Sequence, residues 1–241
     1  MIESDTSRSI AAALRGEGFV FLRGRTLRAE LERSTRLADW EAFRDSWEAL
    51  EPDTYLAETG RRRRRRHAVY EISPEGESVR QPHQAHYQAE EYNTLQGGIP
   101  RFFEPIAADI GAGPTLTAYL RFAWQTFSPL AGAERRWRAE AHQMRIEASA
   151  EHPGEPTPEG PHRDGVDYVL VALVARRNIV SGTTTIFTSQ GAPLGAFTLT
   201  EPFDAALVDD ARVWHGVTAV QPQDPSLPAS RDVLVLTLKA L

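Results

Sequence analysis

The sequence predicts a mainly β protein with flanking α-helices, its strands closing as an antiparallel barrel or double-sheet jelly roll. Its second half carries a series of short β-prone runs at regular spacing, separated by Gly, Pro and Asp clusters. Its first half shows apolar residues at helical period. A length of 241 residues with 41% hydrophobic content is enough for one domain with a sizeable core. We therefore expect a single domain over residues 1–241, helix-rich to about residue 130 and β-rich from about residue 131.

The elements follow in order. Ser7 to Leu14 has helical spacing, with Asp5 or Thr6 as N-cap. Gly16-Glu17-Gly18 stops it, and Phe19 to Leu22 reads as a short strand ended by Gly24. Leu27 to Ala49 carries two further amphipathic segments, and Thr115 to Phe127 has a broad apolar helical stripe. Between them, Arg61 to Arg66 is an unbroken arginine run that leads into β-prone His67 to Ile72. Arg136 to Ala148 is a long strand, and the Glu/Pro/Gly-rich stretch to Pro161 is a loop. The remaining strands are Asp167–Ala175, Thr183–Phe187, Leu194–Leu199, Ala205–Val208, Val213–Val220 and Asp232–Leu238.

Several function classes drop out early. The net charge of −6 gives no basic field for nucleic acid. The absence of cysteine removes disulfides, zinc–thiolate sites and a thiol nucleophile, so any metal must be held by His, Asp or Glu. No dinucleotide-binding or P-loop glycine pattern and no Gly-x-Ser-x-Gly elbow occurs. No basic-then-apolar leader and no stretch long enough to cross a bilayer is visible, so a cytoplasmic protein with no membrane partner is expected.

Pro161-His162-Arg163-Asp164-Gly165 carries the chemistry. Residues two apart on an extended chain share a face, so His162 and Asp164 can present an imidazole and a carboxylate to one ion. His215, in Val213-Trp214-His215-Gly216, lies on another expected strand. Two histidines and one carboxylate on one side of an ion form a facial triad, with open positions for substrate and dioxygen. His-x-Asp alone is a weak signal, since most histidines are surface or core residues. The glycine- and proline-rich lead-in and the second histidine give it weight.

Arg231 opens the last strand, where its planar fork could anchor the far carboxylate of a dicarboxylic cosubstrate. The plainer alternative is a strand-end arginine paired with an acid. Trp214 reads as core, and Asp209-Asp210 as a turn before the strand, with an alternative role as acceptors for a ligand imidazole. Within the arginine run, alternate side chains face opposite sides, so Arg66 could meet a substrate carboxylate in a pocket while its neighbours stay solvated. Arg145, inward on a strand, needs either a ligand carboxylate or a structural partner. His83, His86, Tyr87, Glu91 and Tyr92 form a polar-aromatic stretch that could line the substrate mouth, and His142 reads as structural.

The run from Pro156 to Tyr168 resembles the metal-binding segment of the bacterial 2OG-Fe dioxygenase family, of the L-isoleucine 4-hydroxylase type. Further segments are similar to that family in the same order. They are Glu91-Tyr92-Asn93, Arg101-Phe102-Phe103-Glu104-Pro105, His142 to Ile146, Gly182 to Phe187, Glu201 to Asp204, His215 to Thr218 and Arg231 to Leu234. The likeness runs from about Tyr70 onward. It implies a double-stranded β-helix (jelly roll, cupin-like) with Fe(II) on His162, Asp164 and His215, 2-oxoglutarate anchored by Arg231, and O2 as co-reactant. It also implies hydroxylation of a small free aliphatic L-amino acid, with 2-oxoglutarate decarboxylated to succinate. A tailoring oxidase of natural-product biosynthesis (desaturation, cyclisation, sulfoxidation) is the alternative within enzymes. A non-catalytic cupin-like metal-binding protein is the alternative outside them, and it would have no use for Arg231. One departure stands out: Gln221 to Ser230 lengthens the gap between His215 and Arg231 beyond the common spacing, which a proline-rich loop can absorb. Oligomeric state is left open.

Overall fold

The computed structural model describes residues 5–57, 62–132 and 134–241. Met1 to Ser4 and Arg61, part of the arginine run, lie outside the described residues. The helices are α1 (Asp5–Glu17), α2 (Gly24–Glu32), α3 (Trp40–Asp45), α4 (Thr54–Ala57), α5 (Ala108–Gly111) and α6 (Pro114–Ala131), with a 3-10 turn at Ser46–Ala49. Strands of the first half are β1 (Phe19–Leu22), β2 (Glu51–Pro52), β3 (Arg63–Ile72) and β4 (Ser78–Arg80). The second half adds β5 (Trp137–Ala148), β6 (Tyr168–Arg177), β7 (Ile179–Ser181), β8 (Thr183–Phe187) and β9 (Pro193–Thr198). It ends with β10 (Ala205–Asp209), β11 (Trp214–Val217), β12 (Val220–Pro222) and β13 (Ala229–Ala240).

The long strands form one antiparallel sheet in the order β1-β10-β6-β13-β5-β3-β2, with β4 paired to β3. A smaller sheet, β11-β8-β9, and the pair β12-β7 lie apart from it. This is the expected mainly β jelly-roll architecture with flanking helices. One detail differs from the sequence reading, and one that it raised is met. The expected strand Val213–Val220 is interrupted after Val217, and β12 turns away to pair with β7. The arginine run is itself part of a strand, because β3 pairs with β5 from Arg63 to Ile72.

Strand alternation sorts the main sheet into two faces. Leu234, Leu236 and Leu238 of β13, with Ala139 and Ala141 of β5, pack with helical Leu14, Phe43, Tyr119 and Phe127 in the main core. The opposite parity faces the small sheet: Val169, Val208 and Ile186 form one apolar cluster there, and Ile146, Leu173 and Val233 another. An apolar surface on one face only would suffice for a two-layer protein. Because both faces are used, one row of each long strand is left to line a cavity between the sheets.

The lengthened segment after His215 is ordered. Asn178 Nδ2 donates to the carbonyls of Asp224 (2.8 Å) and Leu227 (3.0 Å), and Asn178 Oδ1 accepts from the Asp224 N–H (2.8 Å). The extra residues are thus tied back onto the β6–β7 corner, while β13 keeps Arg231 opposite Ile146.

Candidate metal centre and its cavity

His162 and His215 come from different segments but form an isolated antiparallel bridge, each backbone N–H donating to the other's carbonyl (2.9 and 3.0 Å). That pairing brings their ring centroids to 4.6 Å. Asp164 sits between them, its Oδ1 at 3.8 Å from His162 Nε2 and its Oδ2 at 3.6 Å from His215 Nε2. The ligand atoms of the three residues all lie within 4.8 Å of one another.

The tautomer of His162 is set by its neighbour. Its Nδ1–H donates to the Gly160 carbonyl (3.0 Å), which leaves Nε2 on the Asp164 side. Burial opposes charge on His162, but the attraction of Asp164 and then Glu159 outweighs it and raises the pKa to about 9. The same attraction, against burial, holds the Asp164 carboxyl well below its ordinary value. His215 moves the other way, to about 4, chiefly through burial and then the charge of His162. A divalent ion would displace the His162 proton and supply the positive charge that this carboxylate already attracts. The donor set is hard, with no sulfur, and fits Fe(II).

The loop that carries Asp164 is held from behind. Asp210, 1% exposed, accepts the backbone N–H of Asp164 (2.9 Å) on Oδ1, and those of Gly165 (2.8 Å) and Val166 (3.2 Å) on Oδ2. Burial and the nearby Asp164 charge push its pKa up to about 7, against those three donors. Asp210 therefore shapes the ligand loop through its backbone and makes no contact with an imidazole, the alternative raised from sequence. Gln88 Nε2 adds a donor to Asp164 Oδ1 (3.3 Å) from a distant loop.

The three residues open into a cavity of about 420 Å³, within the usual size range of small-molecule sites. Arg231 lines the same cavity, 2% exposed and with its Nε unpartnered. Among the described residues it has no acidic partner, so the plainer strand-end pairing is not what the structure contains. Burial first, then the neighbouring Arg176, lowers its pKa to about 10. A buried guanidinium without a counter-ion calls for an anionic ligand, which fits a carboxylate of 2-oxoglutarate.

The remaining sequence candidates divide. Tyr92 lines the cavity and packs at the Asp164–Gly165 turn. Arg145 does not reach the cavity: β5 turns it to the helical face, where it bonds Asp232 (2.7 and 2.8 Å) and Glu48 (2.9 and 3.0 Å). His83 is exposed against Phe102, and Arg66 faces the Pro105 carbonyl on the side away from the cavity. The strand parity anticipated for the arginine run does hold, but Arg63 and Arg65 are the ones turned inward. Trp214 is half-buried beneath Arg163 (5.8 Å to its ring) instead of in the core. Glu140, His86 and His142 also line the cavity. Their signal was present as an alternating polar row, Arg138-x-Glu140-x-His142, on a strand expected to be half apolar.

Comparison with known proteins agrees with this geometry. L-isoleucine-4-hydroxylase of Bacillus thuringiensis is 28% identical over 157 residues, 63% of this chain and 64% of that enzyme, so the match spans a little under two thirds of the relative's length. The crystal structure of a BsmA homologue from Methylobium petroleophilum PM1 superposes with a TM-score of 0.85 at 36% identity, covering 97% of this chain and 92% of the other. The structure named IDO from Bacillus thuringiensis shares the fold (TM-score 0.79, 19% identity, 100% and 98% coverage). Among the described residues no helix is long and apolar enough to cross a membrane. A profile described as 2OG-Fe dioxygenase matches residues 44–237, and the chain accordingly belongs to the 2OG-Fe dioxygenase family of iron- and 2-oxoglutarate-dependent oxidoreductases.

Proposed function

We propose that this dioxygenase hydroxylates a small free aliphatic L-amino acid while 2-oxoglutarate is decarboxylated to succinate. The observation that carries the reading is one cavity with an ion-sized His162–Asp164–His215 cluster and the unpaired Arg231 in its wall. The aliphatic amino-acid class is drawn from the partial likeness to a hydroxylase of L-isoleucine.

The roles follow from position. His162, Asp164 and His215 would hold iron from one side, leaving its other side turned to the cavity. Bound iron supplies dioxygen activation coupled to oxidation of the 2-oxo acid. Arg231 would grip the distal carboxylate of 2-oxoglutarate and so fix which way that molecule lies. Val169, Val171, Val208 and Val235 wall the space between, excluding water and offering hydrocarbon surface to an aliphatic side chain. Asp210 and Gln88 would keep Asp164 aimed, Asp210 through the backbone N–H and Gln88 through the carboxylate.

The test is succinate release with Fe(II), 2-oxoglutarate and ascorbate across a panel of free amino acids. Aliphatic members should stimulate succinate formation above the substrate-free rate, and His162→Ala or Asp164→Ala should abolish it. Stimulation that survives either substitution would remove the catalytic assignment.

A further inference from the structure

Beside the hydrophobic strands, on β3 and β5 of the same sheet, lies a polar wall that iron and 2-oxoglutarate leave unexplained. His67, His86, Glu140 and His142 place one ligand atom each within 4.8 Å of one another, a grouping that invites a second metal. Its hydrogen bonds speak against one. Arg65 Nη2 lies 2.9 Å from His142 Nδ1, and since a guanidinium only donates, that nitrogen must accept. His142 is therefore neutral with its proton on Nε2, and its available lone pair is spent on a cation.

Glu140 is likewise occupied. Its Oε2 accepts from His67 Nε2–H and His86 Nδ1–H (2.8 Å each), and its Oε1 accepts from Arg138 Nε–H (2.9 Å). Glu140 is still 12% exposed, on the cavity side, and its Oε1, which accepts one donor, has capacity for another.

The buried guanidiniums of this wall are not fully used by it. Arg65 and Arg101 are 3% and 2% exposed and both line the cavity. Arg101 gives its terminal nitrogens to neutral acceptors, Gln96 Oε1 (2.9 Å) and Gln88 Oε1 (2.8 Å). Arg65 has Asp53 at 3.7 Å, a carboxylate with no exposure that also acts on Arg101. Glu140 is engaged by Arg138. Asp53 is thus the one fully buried acid beside these two guanidiniums, with Glu140 also acting on Arg65 and Glu159 on Arg101 from the cavity wall. On the iron side the count closes without them: a divalent ion and Arg231 against Asp164 and the two carboxylates of 2-oxoglutarate. Arg65 Nε and Arg101 Nε have no partner, so the pair keeps donor capacity for an anionic group of the other ligand of the cavity.

We propose that the Arg65–Arg101 pair binds the α-carboxylate of the primary substrate and Glu140 its α-ammonium, so that this wall reads a zwitterion and turns the side chain toward the metal centre. The site deepens, and rests on, the amino-acid reading above. Arg65 on β3 and Glu140 and His142 on β5 project from neighbouring strands on one face, which places acceptor and donors side by side. Arg101 is brought to them by the bridge between its backbone and His86.

The experiment uses the enzyme with Fe(II) and 2-oxoglutarate under anaerobic conditions, with ligand binding followed by saturation-transfer NMR and turnover then measured in air as succinate. The probes are an aliphatic amino acid that stimulates turnover, its primary amide, its decarboxylated amine and its deaminated carboxylic acid. The amide, amine and deaminated acid should each bind roughly 30-fold or more weakly than the amino acid. Glu140→Gln should weaken the amino acid by a similar factor and leave the deaminated acid at its wild-type affinity. Amide and amine that bind as tightly as the amino acid would overturn the carboxylate site and leave the amino-acid oxygenase standing. Equal weakening of amino acid and deaminated acid by Glu140→Gln would reduce Glu140 to a structural part. If no free amino acid binds or stimulates while substrate-free 2-oxoglutarate consumption persists, both the site and the amino-acid reading fall.

Discussion

At Arg231 burial and charge conflict within the protein itself, and the proposed anchoring of 2-oxoglutarate would resolve the conflict. The guanidinium is 2% exposed, its nearest charged neighbour named above is another arginine, and no described acid pairs with it. Removing one partner of a buried charge pair costs on the order of 2–5 kcal/mol. Arg231→Ala should therefore raise the 2-oxoglutarate requirement roughly 30-fold or more, while Fe(II) affinity changes little, because Arg231 is not among the clustered ligand atoms. Arg231→Lys should fall between, keeping the charge and losing the planar fork. The 2-oxoglutarate KM and a metal titration check both halves. An unchanged KM in the alanine variant would remove the anchoring role. Arg145 shows the opposite case on the neighbouring strand. Its charge is answered by Asp232 and Glu48, so the fold alone accounts for it.

Among the elements, the turn at Asp164–Gly165 decides whether the metal ligands converge. Gly165 has φ +79°, and a Cβ there would overlap the ring of Tyr92. Gly165→Ala combines left-handed strain with a steric conflict, a cost of about 1–3 kcal/mol. We expect Tm to fall by roughly 2–12 °C. Fe(II) should bind about 10–100-fold more weakly, since the same turn presents its N–H groups to Asp210. Unchanged Tm and metal affinity would show that the turn is not the constraint. The clustering of His162, Asp164 and His215 was readable in the sequence because a two-residue spacing and a strand histidine are local signals. Most strands were readable too, since β-prone runs punctuated by Gly and Pro need no tertiary information. Arg66 and Arg145 were misplaced for a physical reason: a period of two tells which residues share a face, and only the sheet's partners tell which face is the cavity. Arg65 and Arg63 carry the parity that Arg66 lacks. Arg101 and Gln88 were out of reach altogether, because irregular backbone between β4 and α5 delivers them and no periodicity marks it.

For the molecule as a whole, the buried polar wall ties stability to pH. Burial lowers the pKa values of His67, His86 and His142, partly opposed in each by Glu140, with Arg65 adding to the lowering. The folded state therefore binds fewer protons than the unfolded chain, whose histidines titrate near 6.5. Stability from this source is fully present above that value and is lost as pH falls below it, until the lowered folded values are reached. Each histidine contributes a slope of at most ~1.4 kcal/mol per pH unit. His162, raised to about 9, has the opposite sign in a window between 6.5 and 9; Asp210, raised to about 7, offsets part of the loss below 7, and His215, lowered to about 4, adds to it. Glu140, held far below its ordinary value by the two imidazoles, extends the acid loss to still lower pH. Denaturant unfolding of the metal-free protein at pH 7.5, 6.5 and 5.5 should show little loss in the first step and a steep one in the second. His67→Gln, which keeps an amide N–H for Glu140, should flatten the second step by up to one histidine's share. Equal stabilities at pH 6.5 and 5.5 would mean that these imidazoles take up protons as readily in the fold as in the unfolded chain. Acid would then add positive charge beside the buried guanidiniums of Arg65 and Arg101 without loss of stability, and burial would not be what governs these histidines.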